Sequence, residues 1–432
     1  MIRAFALALV WMLLPLSASG TAAQTLPAAG ARSLGLAGVG TATPLGPEAI
    51  AVNPAAAALP GAPRFSITLF PVSAGRSVTP ISLSELADVS GEEIPLATRT
   101  LWMERIEERG SAAGSLQAGV TGLALTVGPW GFQVSSSGGG FMGLNPDAAE
   151  LLLFGNAGRT GEARDMTLDG SSFEAAAATT VGLSYAFRLD PFVREPFSGG
   201  DDGGLAVGAL VTWTQGHALA LGQDLGSRLG ADPLELEVLF PVVHTDPVGP
   251  NAGSGLGVTL SAAWTRRSWS LGAVLHDAVN TFSWNEGDLV YRPGEALLDR
   301  ENTESDFDGR AFSRAPEAVR SMVRSRTPSP RFTLGGSWRP SEDLELMGDV
   351  SRRMGNDMIA APRDRLGFAA EYQGVPWLPL RGGVHLVSGG MRFGGGLGVQ
   401  LGPVDLSTGA VYRTGSNRGE TTVGASLTIT PR

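Results

Sequence analysis

Four histidines are the side chains of this sequence best suited to hold a metal ion or to carry a proton near neutral pH. They are His217, His244, His276 and His385. They are scattered, and no two have the HExxH spacing that places imidazoles on one helix face for zinc. The chain also has no cysteine, which excludes thiolate ligands, disulfides and a lipidated cysteine anchor. We therefore predict no metal site and no cofactor.

The sequence also lacks the motifs that position a nucleophile or a phosphate group. No complete G-x-S-x-G elbow and no P-loop occur, and the glycine runs at residues 138–140 and 394–396 lack the strand-to-helix context of nucleotide sites. The formal net charge of −10 is unfavourable for binding to nucleic acid. We predict that the protein is not an enzyme and has no nucleic-acid partner.

A period-two alternation dominates the rest of the sequence. In residues 205–214 (LAVGALVTWT), apolar side chains alternate with small or polar ones, as on the two faces of a β-strand. The same pattern returns in residues 179–188, 256–265, 269–276, 344–351, 404–413 and 421–430. A soluble sandwich would bury the apolar face in a core. Because the opposite face is rich in Gly, Ser, Thr and Ala, the pattern favours a transmembrane β-barrel with a polar lumen.

The fold predicted from this pattern is an all-β, antiparallel, up-and-down transmembrane barrel of about fourteen strands. The predicted strands are residues 64–70, 116–127, 129–138, 179–188, 205–214, 254–265, 268–277, 330–339, 343–352, 365–374, 378–387, 391–401, 404–414 and 420–430. Residues 281–292 could form a further strand and change the count. Long connections alternate with tight ones, and short helices are predicted in the long connections at residues 84–89, 101–109 and 315–326.

The first residues have the composition of a secretory signal peptide. A basic start at residues 1–3 precedes an apolar stretch at residues 4–16, and the small residues 21–23 offer a cleavage site. No later segment reaches the roughly 18 apolar residues that a spanning helix needs. We predict export to the bacterial outer membrane. The predicted divisions are a signal peptide at residues 1–23, a plug or hatch at residues 24–63 and the barrel at residues 64–432.

The segment between the leader and the first strand is small, apolar and rich in glycine, and it does not have the pattern of a strand. Its glycines permit tight turns and close backbone contacts, and an Asn-Pro pair fixes a stop before an alanine-rich helical turn. Small side chains would let this backbone pass between the inward side chains of a barrel. The plug and gating candidates are Gly35, Gly38, Gly40, Asn53, Pro54 and Ala55. A disordered periplasmic lead is the alternative, and the low charge of the segment disfavours it.

The same segment resembles the start of the FadL superfamily of outer-membrane proteins, which includes the PorV-like and TraF-like barrels. Mature chains of this superfamily open with Ala-Arg-x-Leu-Gly-x-Gly-Gly and continue with Asn-Pro-Ala. The corresponding residues here are Ala31, Arg32, Leu34, Gly35, Ala37, Gly38, Asn53, Pro54 and Ala55. Ala37 departs from the pattern, because the family has a glycine there. A second stretch, residues 144–156 with the strand that starts at Val181, is similar to a bacterial barrel family without an assigned function.

The resemblance implies a fourteen-stranded barrel with an N-terminal hatch. In the fatty acid channels of the superfamily, a hydrophobic ligand leaves sideways through a gap at the third strand. The third predicted strand ends in the run VSSSGGGF, and Gly138, Gly139 and Gly140 in it are candidates for such a kink. An ordinary loop start explains these glycines equally well.

Outer-membrane lipid is the first predicted partner. Val207, Val211, Val258 and Leu260 are expected to face lipid, with their neighbours Thr212 and Thr259 on the lumen side. Indole rings near the strand ends are expected at the level of the lipid headgroups. These tryptophans are Trp130, Trp213, Trp264, Trp269, Trp338 and Trp377.

The barrel assembly machinery is a second predicted partner. Gly424, Leu427 and Ile429 fall at spacings that resemble the C-terminal signal of bacterial barrels, although the usual terminal aromatic residue is missing.

Two functions are compatible with the sequence. The first is a passive channel for hydrophobic or amphipathic small molecules such as a fatty acid, gated by the plug, because about fourteen strands enclose more space than wall side chains fill. The second is a non-enzymatic surface scaffold or secretion accessory in the manner of PorV, holding a protein partner of unknown identity. The acidic stretch at residues 299–308, followed by Arg320, Arg324 and Arg326, favours the second. A solvated loop with internal ion pairs is the plainer interpretation of these charges.

Overall fold

The computed structural model describes residues 30–155, 158–189, 203–231, 235–299, 303–358, 362–387, 390–415 and 419–431. The predicted signal peptide at residues 1–23 and the first residues of the predicted plug, 24–29, lie outside the described residues. Among the residues that are described, no helix is both long and apolar enough to cross a membrane.

Fourteen antiparallel strands form the wall of a closed barrel in the described part of the chain. In chain order they are β1 Phe65–Thr79, β2 Ala112–Val127, β3 Trp130–Leu144, β4 Ser172–Arg188, β5 Gly203–Gln223, β6 Gly253–Arg266, β7 Trp269–Asn280, β8 Arg331–Ser341, β9 Leu344–Arg353, β10 Asp364–Tyr372, β11 Leu380–Val387, β12 Gly390–Leu401, β13 Val404–Gly415 and β14 Glu420–Ile429. Each strand pairs with the next, and β14 pairs with β1 to close the barrel. The predicted fold class and strand number are confirmed.

The two faces of the wall have opposite polarity. In β5 and β6 the apolar side chains of Val211 and Leu260 are 48% and 50% exposed on the outside, whereas Thr259 is buried on the lumen side. Outward aliphatic and aromatic side chains recur around the barrel, while most buried strand side chains are Ser, Thr, Gln or charged residues. A soluble protein would show the reverse, so this wall is built to meet lipid outside and polar groups inside.

Several strands extend beyond their predicted ends. The prediction for β1 stopped at Phe70, because the alternation breaks where Phe70 has a φ of 45° and the register with β14 shifts between Leu69 and Val72. A similar shift interrupts the pairing of β4 with β5 between Ala177 and Ala178. The possible extra strand at residues 281–292 was wrong as a wall element. It forms only the short strands Ser283–Trp284 and Leu289–Arg292 in a loop.

The four longest connections, β1–β2, β3–β4, β5–β6 and β7–β8, all lie at one end of the barrel. The tight turns β2–β3, β6–β7, β8–β9 and β12–β13 lie at the end where β1 begins and β14 ends. Outer-membrane barrels place short turns in the periplasm and long loops outside. We therefore call the end with the tight turns the periplasmic end and the other the outer end.

The long outer loops contain helices and their own apolar clusters. The helices there are α3 Leu83–Asp88, α4 Leu96–Arg109, α5 Pro146–Phe154 and α6 Glu317–Arg324. Ser82 begins α3 with a capping box, because its hydroxyl accepts from the Glu85 amide and the Glu85 carboxylate accepts from the Ser82 amide. Helix α6 and its loop bury Phe312, Val319 and Val323 against the outer ends of β4 and β5. The three predicted loop helices are present, with ends shifted by a few residues.

Aromatic side chains lie on the outer face of the wall. Five of the six predicted tryptophans are between 40% and 56% exposed, and Trp264 is half-buried. Near the periplasmic end, Trp269 and Trp338 stack with ring centroids 5.8 Å apart, and Trp130 lies 4.6 Å from Tyr185. This is the position in which an indole is stable at the headgroup level.

Candidate functional site in the barrel lumen

The segment that precedes β1 packs against the lumen face of the wall. Its elements are helix α1 Ala31–Gly35, helix α2 Glu48–Val52 and a 3-10 turn at Pro54–Ala58. Near its start, the Ala31 amide donates to Ser426 Oγ of β14 at 3.3 Å. Near its end, the Ala55 amide donates to Ser261 Oγ of β6 at 3.0 Å. Strands β6 and β14 lie on nearly opposite sides of the ring, so residues 30–61, which we call the N-terminal segment, extend across the lumen.

Wall glycines provide the space for this segment. A Cβ atom on Gly394 of β12 would lie 2.5 Å from the Ala37 nitrogen, and one on Gly409 of β13 would lie 2.4 Å from the Ala31 oxygen. Comparable backbone contacts occur at Gly208, Gly272 and Gly383. A side chain at any of these positions would displace the segment. Close backbone contacts thus explain Gly394 and Gly396 in the glycine run at residues 394–396, which is unsuited to a nucleotide.

A buried ionic network joins the first helix of the segment to the wall. The Arg32 guanidinium donates to Glu371 Oε2 of β10 at 2.9 Å through Nε and at 2.6 Å through Nη2. Arg381 of β11 donates to the other oxygen of Glu371 at 2.9 Å, and Glu48 of α2 accepts from Arg32 at 3.3 Å. Charge-assisted hydrogen bonds of this geometry are strong when they are shielded from water.

The two charged groups that the segment itself contributes have shifted pKa values. Burial alone would lower the pKa of Arg32, but the Glu371 and Glu48 carboxylates outweigh this and raise it. Burial raises the pKa of Glu48, and the Arg32 charge opposes that shift. Arg32 therefore stays charged between the Glu371 and Glu48 carboxylates.

A second anchor lies where the segment turns. Asp349 of β9 accepts hydrogen bonds from the amides of Gly40 at 2.8 Å and Thr41 at 3.0 Å, and from the Thr41 hydroxyl at 2.8 Å. The side-chain amide of Asn53 donates to the Thr41 oxygen at 2.9 Å and links two parts of the segment. Gly38 and Gly40 have positive φ values of 87° and 136°, as the predicted tight turns require.

The same turn contains a strained residue. Ala37, which stands where the resembled family has a glycine, has a φ of 56°. A side chain in the left-handed region costs about 1–2 kcal/mol. His385 Nδ1 of β11 lies 3.0 Å from the Ala37 oxygen and contributes to holding this conformation.

The structure brings the six plug candidates into this one site. Gly35 packs against Gly396 of the wall, Asn53 is fully buried, Pro54 starts the 3-10 turn, and Ala55 contacts Gly208. Sequence reasoning missed Asp349, Glu371 and Arg381, which supply the wall half of the anchors. Charged residues at lumen-face positions of otherwise small-residue strands were the available signal.

The three glycines at the third strand lie elsewhere. Gly138–Gly140 pair without a register shift with both β2 and β4, so the wall is closed there in this structure. A surface cavity of about 420 Å³ adjoins Gly138 and Gly139 and is lined mainly by small and aliphatic side chains of β4 and β5. A lateral gap at this position stays a prediction.

Comparisons with solved structures agree with this architecture. The toluene transporter TbuX of Ralstonia pickettii is similar with a TM-score of 0.52 at 13% identity, covering 94% of this chain and 100% of that one. The deltaS2S3 mutant of the monoaromatic hydrocarbon channel TodX of P. putida has a TM-score of 0.52 at 12% identity, covering 93% and 98%. These neighbours are FadL-family outer-membrane transporters.

The predicted resemblance to the FadL superfamily is confirmed for the fold. A Pseudomonas aeruginosa FadL homologue is also similar, at 14% identity and a TM-score of 0.46, over 96% of this chain and 100% of that one. No protein-family model and no curated protein sequence matches the chain. Identities this low show a shared barrel and do not transfer a ligand.

Proposed function

We propose that the protein is a passive, non-enzymatic outer-membrane channel for hydrophobic or amphipathic small molecules, in which the N-terminal segment is the plug. The observation that carries this proposal is the attachment of the segment to strands on both sides of the lumen through Ser261, Asp349, Glu371 and Ser426. A segment bound in this way obstructs a straight aqueous path. It consists largely of small side chains, so opening requires only that its hydrogen bonds to the wall and the buried Arg32–Glu371 pair break and form again.

The hydrocarbon transport named for TbuX and TodX supports an apolar ligand for a barrel of this shape. A cavity of about 190 Å³ near the periplasmic end is lined by residues 42–46 and 59–61 of the segment, by residues 62–63 that follow it, and by Thr126, Ser270 and Arg339 of the wall. We propose this cavity as the periplasmic end of the route. Its mixed lining of apolar segment residues and polar wall residues suits an amphipathic molecule better than an ion.

Uptake of a fluorescent dodecanoate tests the channel. Cells whose outer membrane lacks other apolar uptake routes would express either the full chain or a deletion of residues 35–58. The full chain is expected to raise uptake of the apolar probe and not of a hydrophilic dye of equal size. The deletion is expected to admit both. The proposal fails if neither protein, both folded by heat-modifiable gel mobility, passes any apolar probe.

Lateral exit at Gly138–Gly140 is a separate proposal, because it requires a closed ladder to open. Hydrogen exchange of the amides at residues 138–140 measures that opening directly. We expect these amides to exchange faster than those of residues 132–134 on the same strand, and faster still with dodecanoate present. Equal protection along β3 under both conditions would leave only the periplasmic route.

The surface-scaffold alternative gains no support from the loop charges. Arg320 pairs with Glu317 at 2.8 Å, Arg324 pairs with Glu286 at 2.9 Å, and Arg326 pairs with Glu174 at 2.6 Å. The arginines that motivated a protein partner are thus engaged inside the loop or with the barrel rim. The scaffold function stays a prediction, and its test is recovery of a stoichiometric partner by crosslinking in native membranes.

A further inference from the structure

A belt of arginines lines the outer half of the lumen, on the outer side of the anchors of the N-terminal segment and next to His385. Its members are Arg331 on β8, Arg353 on β9, Arg365 on β10, Arg392 on β12 and Arg413 on β13. All are buried, with exposed fractions between 4% and 9%. They are far apart in the sequence, and the barrel register alone brings them to one level. The plug proposal does not use them.

The register places positive charges directly opposite one another. Arg331 pairs across the ladder with Arg353, and Arg392 pairs with Arg413. Like charges at directly opposite strand positions are destabilising. Two such pairs of opposed arginines on one face of the wall would destabilise the barrel unless a bound group offset their charge.

Acidic groups lie beside the arginines at the two ends of the belt. The charged neighbours of the arginine at its centre are other arginines. Asp357 pairs with Arg353, Asp277 faces Arg331, and Glu420 of β14 lies beside Arg413 and Arg392. Arg365 lies between these two groups, and its charged neighbours are Arg331, Arg353, Arg392 and Arg413. The centre of the belt therefore carries excess positive charge.

Two donor atoms of Arg365 also have no hydrogen-bond acceptor among the residues that the structure describes. Its residue is 9% exposed, and its Nε and Nη2 atoms are buried without a partner. Among the described residues, Nε of Arg331 and Nε of Arg392 are likewise buried without a hydrogen-bond partner. Buried guanidinium groups are normally paired, because an uncompensated buried charge is costly. Arg32 and Arg381 in the same lumen follow that rule, and Arg365 does not.

We propose that Arg365, with Arg331 and Arg392 beside it, binds an oxyanion: a carboxylate, sulfate or phosphate group. A guanidinium presents its donors in a planar fork that matches two acceptor oxygens, and several forks around one group complete its coordination. The bound negative charge would also relieve the repulsion between the opposed arginines. The site itself does not depend on the channel proposal. Its consequence, that passing amphiphiles are selected for an anionic head, rests on that proposal.

Thermal unfolding followed by heat-modifiable gel mobility tests the site in an uncharged detergent. Inorganic sulfate, inorganic phosphate and dodecanoate would be compared with chloride at equal ionic strength, and dodecanol would control for the apolar tail. We expect at least one oxyanion to raise the unfolding midpoint of the wild-type protein. A response to sulfate or phosphate indicates a small free anion, and a response to dodecanoate alone indicates an amphiphile head.

The Arg365→Gln variant separates binding from structure. We expect it to unfold in chloride at or above the wild-type midpoint, because repulsion is relieved, and to bind the oxyanion about tenfold more weakly. Arg352→Gln is the matched control, since Arg352 lies on the outward side of β9 and its side chain is 51% exposed. It should keep the full oxyanion response.

Two results would overturn the proposal. One is a wild-type midpoint that none of the three oxyanions raises beyond chloride. The other is an Arg365→Gln protein that is less stable in chloride yet responds to oxyanions as the wild type does, which would make Arg365 a structural residue. Neither result depends on uptake, so failure of the site and failure of the channel are distinguishable.

Discussion

Buried arginines in the periplasmic half of the lumen differ from those in the outer half in whether carboxylates neutralise them. In the periplasmic half, Arg32 and Arg381 share the carboxylate of Glu371, and Glu48 completes the group. In the outer half, the charged neighbours of Arg365 are arginines, and two of its donor atoms have no acceptor within the described part of the chain. Paired charges explain a fixed contact, here the attachment of the N-terminal segment. Unpaired charges of one sign indicate where something that is not part of the chain supplies the balance.

The largest expected effect comes from breaking the paired half. Glu371→Gln would leave Arg32 and Arg381 buried without their shared carboxylate, so we expect a loss of about 3–5 kcal/mol in the free energy of unfolding. Denaturant titration in lipid vesicles measures it, with Glu342→Gln on an exposed turn as control. A loss no larger than that of the control would mean that the network does not hold the segment, and the contrast with Arg365 would disappear.

The contrast between the two groups of arginines also requires that both groups lie on the lumen face of a barrel whose other face meets lipid. Val211→Arg or Leu260→Arg on the outward face should cost about 2–4 kcal/mol near the bilayer midplane. Thr212→Arg, at the adjacent half-buried lumen position, should cost clearly less. The measurement is again denaturant titration in vesicles. Equal penalties on the two faces would contradict the membrane orientation.

Two neighbouring wall glycines test how closely the N-terminal segment packs against the wall. Gly394→Ala would push a Cβ against Ala37 and should cost about 1–3 kcal/mol, because overpacking forces the segment away. Its neighbour Gly395 has nothing within 4 Å of a Cβ, so Gly395→Ala should be close to neutral. Protease cleavage within residues 30–61 reports release of the segment. Equal cleavage in the two variants would argue against a tight fit.

The smallest effect concerns the strained turn. Ala37→Gly removes a side chain from the left-handed region and should stabilise the protein by about 0.5–1 kcal/mol. The φ of 56° at Ala37 is the reason. The midpoint of thermal unfolding should rise slightly, and Ala42→Gly in the same segment is the control expected to lower it. A fall with Ala37→Gly would show that the turn is relaxed.

The number and order of the wall strands could be predicted from the sequence because lipid and lumen impose one pattern on every strand. Val211 and Thr212 show why, since adjacent residues face oil and water. The ends of β1 and β5 could not be predicted in the same way. Bulges such as the one after Leu69 change the side-chain phase, and strand extensions beyond the membrane pack against loops instead of lipid.

Only the residues that the N-terminal segment contributes to the lumen site could be predicted from the sequence. Gly35, Gly38 and Asn53 carry a local signal, because backbone turns and stops depend on neighbouring residues. Glu371, Asp349 and the arginine belt depend on the register between strands that are distant in sequence. Arg331 and Arg353 become neighbours only through the pairing of β8 with β9. No spacing rule within one segment reports such a contact.

A reversible lock on the N-terminal segment tests the central claim, that movement of this segment gates the lumen. An ideal Cβ on Gly30 lies 3.7 Å from the Ser426 Cβ, within the roughly 3.5–4.5 Å that a disulfide spans. Because the chain has no cysteine, a Gly30→Cys, Ser426→Cys protein forms one defined crosslink. We predict that dodecanoate uptake falls to background when this pair is oxidised and returns to the wild-type rate on reduction. Uptake at the wild-type rate in the fully oxidised protein would contradict the claim.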